Sequence, residues 1–431
     1  RVMRGSDAAL HGGTVSMTAA PGGLPRGFGW LMGAQFASAL ADNALLIVAI
    51  ALLQAQGLPA WWAPLLKVGL IAAYVPLAPW VGPLADAHAK GRVMAVMNLV
   101  KLTGLLAMLA GLHPVLAMVL VGLGAAGYAP AKYGLVTELV PAPLLVRANA
   151  WIEITVVGAA LLGAGLGGLL VSAAWLGLVG GLQGSLAALL AVYLLSSGLN
   201  AFIPDTGYRR VPDFGQAQRS CLCSCLCSCR QFWAANLRLW RDAEGGLSLA
   251  ATTIFWGVGA TLQFAVLRWA QERLALPLDQ AAYLQAAVAV GVVLGAWAAG
   301  RWVALRHAPR MLWAGVALGL LMPLLAQVQA LPMAAGLLLA VGMVGGAMVV
   351  PLNALLQHRG HQLLAAGSSI AVQGFNENLS VLVMLGVYAL CLHQGLDIVS
   401  LLCGLGLLVA TSLGALLLRT RALQLGVVRT G

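Results

Sequence analysis

PMAAGLLLAVGMVGGAMVVPLNALL, residues 332–356, holds no charged side chain and a single amide, Asn353. A helix needs about 20 mostly apolar residues to cross the hydrocarbon core of a bilayer, so this stretch reads as a membrane span. The reading repeats on either side of it. Candidate spans run at 28–53, 63–84, 93–111, 114–134, 149–171, 177–203, 246–269, 281–304, 311–329, 332–356, 366–391 and 396–418. The sequence thus predicts an all-α membrane protein with twelve transmembrane helices. Composition agrees: 61% of the 431 residues are hydrophobic and 9% charged, with a mean hydropathy of +0.91. Soluble proteins carry about 25% charged residues, and so little charge cannot cover a water-facing surface.

The position of the charges sets the expected topology. With the N-terminus inside, all 24 Lys and Arg except Lys67, Lys101, Arg268 and Arg273 fall at the cytoplasmic face. That is the asymmetry of the positive-inside rule, and it places both termini in the cytoplasm. The net charge of +11 sits in short loops between apolar runs, which argues against a nucleic-acid partner. Residues 1–27 form a Gly-rich polar extension without the apolar core and cleavage site of a removable signal. Met17 is the expected start, and the first span the targeting signal.

The longest polar segment, 204–245, divides the chain into six-helix bundles at 28–203 and 246–418, with a tail at 419–431. Two such halves are the outline of a major facilitator transporter. The halves echo each other: Val121 to Gly127 corresponds to Val341 to Ala347. Each run is followed by a proline (Pro130, Pro351), a polar loop and a span with an acid (Glu153, Glu377). Within the loop, Cys alternates at 221, 223, 225, 227 and 229. Zinc sites want paired C-x2-C spacings, so the run reads as a tandem-repeat insertion, with metal binding or lipidation as alternatives.

Between spans two and three, Gly82-Pro83-Leu84-Ala85-Asp86-Ala87-His88-Ala89-Lys90-Gly91-Arg92 resembles the major facilitator signature, with Ala87 and Ala89 departing from it. Gly permits close helix contact. Asp86 can accept hydrogen bonds from a neighbouring helix N-terminus and pair with a base. Asp86, Lys90 and Arg92, with Glu153, are therefore candidate gating residues. Asp42-Asn43 sits in mid-span, where a charge is costly unless it faces a cavity or a partner. Glu377 lies in the unusually polar run Gln373 to Asn378. Lys132 meets a phosphate or snorkels to headgroups, and Arg268 raises the same choice at the outer end of span seven. Gln263 could face the cavity, and Lys101 could contact a phosphate or partner an acid. No G-x-x-x-x-G-K-[ST] loop occurs, and no histidine has an Asp five positions on, so ATP hydrolysis and H-x-x-x-x-D acyl transfer are not expected. No enzyme activity, metal or cofactor is expected.

Several blocks together resemble the lysophospholipid transporter family of the major facilitator superfamily. They are Gln35-Phe36 to Ser38-Ala39 with Asp42-Asn43-Ala44-Leu45-Leu46, Ala89 to Met94, Tyr128 to Gly134, Phe255-Trp256-Gly257, Pro351 to Gln357, and Ile370 to Gln373 with Glu377-Asn378. The resemblance covers nearly the whole chain apart from the N-terminal extension and the Cys run. It implies facilitated movement of lysophosphatidylethanolamine and related lysophospholipids from the outer to the inner leaflet of the bacterial inner membrane. A separate cytoplasmic-side acyltransferase would then reacylate them. Substrate contacts are expected from Asp42, Asn43, Lys101, Lys132, Gln263, Arg268, Asn353, Gln373, Asn376 and Glu377. The family pattern places a basic residue near Gln263; Arg268 substitutes for it here, or the headgroup contact is weaker. Rival readings are a proton-coupled drug or metabolite antiporter of the same fold, and a non-transporting scaffold for the acyltransferase.

Overall fold

In hydrocarbon every backbone N–H and C=O must be bonded within the chain, so each apolar run has to become a helix. A computed structural model describes residues 24–58, 62–208, 221–276 and 278–430. Met17, Arg209 and Arg210 lie outside these residues, as do the side chains of Cys221, Cys223 and Cys225. The helices of the first half are α1 (Arg26–Ala55), α2 (Ala63–Ala72), α3 (Tyr74–Ala87), α4 (Lys90–Leu109), α5 (Pro114–Leu139), α6 (Leu145–Leu170), α7 (Ala173–Val179) and α8 (Leu182–Asn200). Next come α9 (Cys221–Arg241), α10 (Ala243–Arg273), α11 (Leu278–Trp302), α12 (Leu312–Ala326), α13 (Leu331–Leu363), α14 (Ala366–His393) and α15 (Ile398–Thr430).

Among the described residues twelve helical stretches are long and apolar enough to cross a membrane, α2 and α3 together supplying one of them. Each overlaps one expected span. The expected sixth span begins too early. Gly180 and Gly181 take φ of 77° and 103°, a turn that glycine makes without strain, so residues 177–179 belong to α7 and the span starts at Leu182. The segment read as a polar loop contains α9, which buries Phe232 and Leu239 against Ala78 of α3, Leu249 of α10 and Val372 of α14.

After twelve crossings the chain returns to the face where α1 begins, here called the terminal face. The cores show how the halves meet. One buried cluster, with Leu45, Leu66, Leu105, Met118 and Tyr193, belongs to the first half alone. Another, with Trp269, Leu325, Leu338 and Leu402, belongs to the second. A third mixes them, joining Met94, Tyr128 and Ala150 to Ala296, Ala299 and Val350. The halves are thus apposed toward the terminal face.

Candidate functional site

The terminal face is closed by contacts between the halves. Asp86, at the end of α3, accepts hydrogen bonds from the backbone N–H of Gly367 (2.6 Å) and Ser368 (2.8 Å) and from the Ser368 hydroxyl (2.7 Å). A carboxylate at a helix N-terminus satisfies orphan donors and complements the helix dipole, and here the helix is α14 of the other half. Lys90 stands 4.0 Å from Asp86 and pairs with Glu138; Lys90 and Asp86 are almost fully buried. The α3–α14 approach requires glycine: a Cβ on Gly82 would come within 2.8 Å of the Ser368 Cα. A second, uncharged fastener joins α6 to α13, where the amides of Asn149 and Gln357 bond reciprocally at 2.9 Å. At the same face Arg359 donates to both oxygens of Asp242, at 3.1 and 2.6 Å. That pairing holds the Asp242 carboxyl below its ordinary 3.8.

Beyond this closure lies a cavity of about 250 Å³ between the halves, called the polar cavity here for the charged and amide groups set among its largely apolar walls. Tyr74, Lys132 and Tyr133 line it from the first half; Trp256, Asn353, Gln373, Glu377 and Asn378 line it from the second. Gln373 donates to Glu377 (2.8 Å) and to Asn353 (3.0 Å), which orients the acid and ties α13 to α14. The Lys132 ammonium lies over the Tyr133 ring, 4.1 Å from its centroid. The indole N–H of Trp256 and the amide oxygen of Gln373 are buried without a protein partner. Such atoms are costly unless a ligand or water satisfies them.

Trp256, Asn378 and Val381 also line a second cavity of about 720 Å³ further from the closed face. Its walls are apolar: Val157, Leu161, Phe255, Leu262, Val288, Leu382 and Leu385 are among them. Glu153, on α6, contributes an acid to it. Lys67 and Gln263 contribute polar groups and meet across the halves, Lys67 donating to Gln263 Oε1 at 3.2 Å. Two adjoining cavities that share Trp256, Asn378 and Val381, one carrying the charged and amide groups and the other largely apolar, have the division of an amphiphile.

The candidate residues divide accordingly. Lys132, Asn353, Gln373 and Glu377 come together in the polar cavity; Gln263 and Glu153 line the apolar one. Asp42 and Lys101 line neither; they pair with each other inside the first bundle at 2.6 Å. Tyr193 donates to the other Asp42 oxygen at 2.7 Å, and Lys101 also donates to Ser38 at 2.9 Å. Asn43 bonds the Ala39 carbonyl at 2.8 Å. Asn376 turns to α9, where it donates to Asn236 and accepts from Trp240. Arg268 pairs with Glu272, and Arg92 is exposed. Lys67, a cation off the cytoplasmic face, is not among the site residues the sequence predicts. Its signal was there: it is the one charge in the second span before Asp86.

A family model described as Major Facilitator Superfamily matches residues 31–385. The lysophospholipid transporter LplT of Yersinia enterocolitica is 41% identical over 380 residues, 88% of this chain and 90% of its own. The LplT of Yersinia pestis (strain Pestoides F) is 42% identical over 369 residues, covering 85% and 87% of the two chains. Among solved structures, the E. coli fucose:proton symporter has a TM-score of 0.69 at 15% identity, over 90% of this chain and 97% of its own. A bacterial homologue of the iron transporter ferroportin has a TM-score of 0.67 at 15% identity, over 91% and 99%. At such identities these two structures speak to the fold alone.

Proposed function

Because the chain belongs to the lysophospholipid transporter family of the major facilitator superfamily, we propose that it carries lysophospholipids across the bilayer, with the two adjoining cavities as their path. One observation carries the reading. The larger cavity has the apolar walls that a single acyl chain needs, and the smaller sets a cation, Lys132, and an acid, Glu377, on opposite halves. A lysophospholipid has that division in one molecule. Lys132 meets the phosphate as a point charge, and Glu377 meets the ammonium of an ethanolamine headgroup. The Trp256 N–H and Gln373 carbonyl remain for the phosphate and the glycerol hydroxyl. Lys67 and Gln263, on the far side of the apolar cavity, receive the arriving headgroup.

The Lys and Arg distribution supports taking the terminal face as the cytoplasmic one, and the kinship with bacterial lysophospholipid transporters supports the inner membrane as its location. This conformation then loads from the outer leaflet. Release toward the inner leaflet requires the Asp86 cap on α14 and the Asn149–Gln357 pair to part. Reacylation by a separate acyltransferase consumes the product, so facilitated diffusion suffices. Asp42, Asn43 and Lys101 hold the first bundle in shape around this path.

Headgroup-resolved transport by the purified chain in proteoliposomes tests the reading. Lys132→Gln is expected to slow both lysophosphatidylethanolamine and lysophosphatidylglycerol at least tenfold, a cost of about 1.4 kcal/mol. Glu377→Gln is expected to slow the first and spare the second, which has no ammonium. Wild-type rates in both variants would remove the polar cavity from the path. Absence of flipping by the chain alone would favour the scaffold reading, and dependence on a proton gradient the antiporter reading.

A further inference from the structure

α9 lies outside both cavities and divides its surface into three faces. At about 100° per residue, Phe232, Asn236 and Leu239 fall on one stripe, and all three are buried against the transmembrane helices. Trp233, Leu237 and Trp240 form the next stripe and are 56%, 50% and 39% exposed. Arg230, Arg238 and Arg241 form the third and are also exposed. No acidic residue occurs anywhere in Cys221–Arg241. The next acids along the chain, Asp242 and Glu244, are engaged by Arg359, and Asp86, which lines one cavity with Arg238, is engaged by the N-terminus of α14.

A helix buried on one side, apolar on a second and cationic on a third has the surface of one lying in a membrane interface. Its Trp and Leu enter the acyl region and its Arg meet the headgroups. The level of α9 fits. Trp233 stacks edge-on with Phe375 at 5.6 Å between centroids, and Trp240 donates to Asn376 at 3.2 Å. These partners lie well inside α14, which begins at Ala366. We propose that α9 is an in-plane membrane helix whose Arg230, Arg238 and Arg241 bind the anionic phospholipids of the leaflet on the terminal face. Charge complementarity selects that occupant: three cations with no acid on the helix attract an anionic surface, whereas a zwitterionic one offers them little.

The helix is also tied to the candidate site. Asn376 bonds both Asn236 and Trp240 of α9, and the next residue is Glu377. Lipid held on α9 therefore acts on the stretch of α14 that lines the polar cavity, so the transport rate responds to anionic lipid. The inference depends on the chain spanning a bilayer and not on which lipid it carries.

The test uses the full chain with its native cysteines replaced and a nitroxide placed on Leu237→Cys. It is reconstituted in phosphatidylcholine vesicles with or without phosphatidylglycerol. Collision with oxygen is expected to exceed collision with a water-soluble nickel chelate, and to do so more strongly when phosphatidylglycerol is present. The triple variant Arg230→Gln, Arg238→Gln, Arg241→Gln should lose the phosphatidylglycerol effect on both probe depth and transport rate while keeping its melting temperature. A label freely reached by nickel in both vesicles would overturn the proposal by making this face available to a water-soluble partner. Spin–spin broadening between labels would overturn it in favour of a second copy of the chain. Depth and rate in the unsubstituted Arg background that ignore phosphatidylglycerol would overturn it outright.

Discussion

A carboxylate at the centre of a membrane helix costs about 2.5–3.5 kcal/mol to insert, and Asp42 meets that cost inside its own bundle. Its partner Lys101 is 3% exposed at the side chain, Asp42 itself 17%. Removing one member of a buried pair leaves the other as an uncompensated charge, a loss of about 3–5 kcal/mol, whereas replacing both is often neutral. Asp42→Asn is therefore expected to lower the melting temperature of the purified protein sharply, and Asp42→Asn with Lys101→Met to recover most of it. A loss in the single variant near the average membrane hydrogen bond, about 0.6 kcal/mol, would show that shape rather than charge holds the contact. Sequence marks both residues as isolated charges in apolar spans. It does not pair them, because helical periodicity says which residues share a face and not which helix that face meets. Lys132 and Glu377 are marked in the same way and stand on opposite walls of one cavity. At Asp242 the sign of the pH effect follows from its lowered carboxyl. The Arg359 contact stabilises the fold above the ordinary carboxylate range and is lost as pH falls through the depressed value. The melting-temperature gap between the native chain and Asp242→Asn should thus stay constant from about pH 8 to about pH 5 and close only below about pH 4.

Among the elements, the α3–α14 junction gathers the charged contacts that close the terminal face. Three donors converge on Asp86. The charge–dipole part of that contact alone is worth about 0.3–2 kcal/mol. Asp86→Asn keeps the shape and removes the charge. A contribution of about 1 kcal/mol corresponds to an approximately fivefold change in population. Spin labels at His88 and Gln362 should accordingly report a longer-distance population that grows about that much. An unchanged distance distribution would exclude Asp86 as the latch. The helices themselves were legible because hydropathy alone decides where backbone can cross lipid. The errors have local causes. Gly180 and Gly181 are small and apolar enough to pass as span, yet their positive φ ends α7. α9 is not legible in the sequence because its first half is the Cys repeat, which hides the helical period that Phe232, Asn236 and Leu239 display afterwards.

At the scale of the whole molecule, each half keeps a core of its own, and two further clusters join them, one around Met94 and Val350 and one where α9 packs on Ala78 and Val372. This is the geometry of two bodies that rock about a site between them. Orientation is tested by labelling intact cells with an impermeant maleimide, in a background lacking the native cysteines. Gln56→Cys and Gln394→Cys, on the face opposite the termini, should react, and Ala304→Cys should not. The reverse pattern would invert the molecule in the membrane. The adjoining cavities also bear on how the protein is handled. A pocket of about 720 Å³ with apolar walls beside a charged recess does not distinguish a lysophospholipid from a single-tailed zwitterionic detergent. Solubilisation in an alkyl phosphocholine would therefore load the site with a competitor, and residual detergent would register as an inhibitor whose strength grows with tail length.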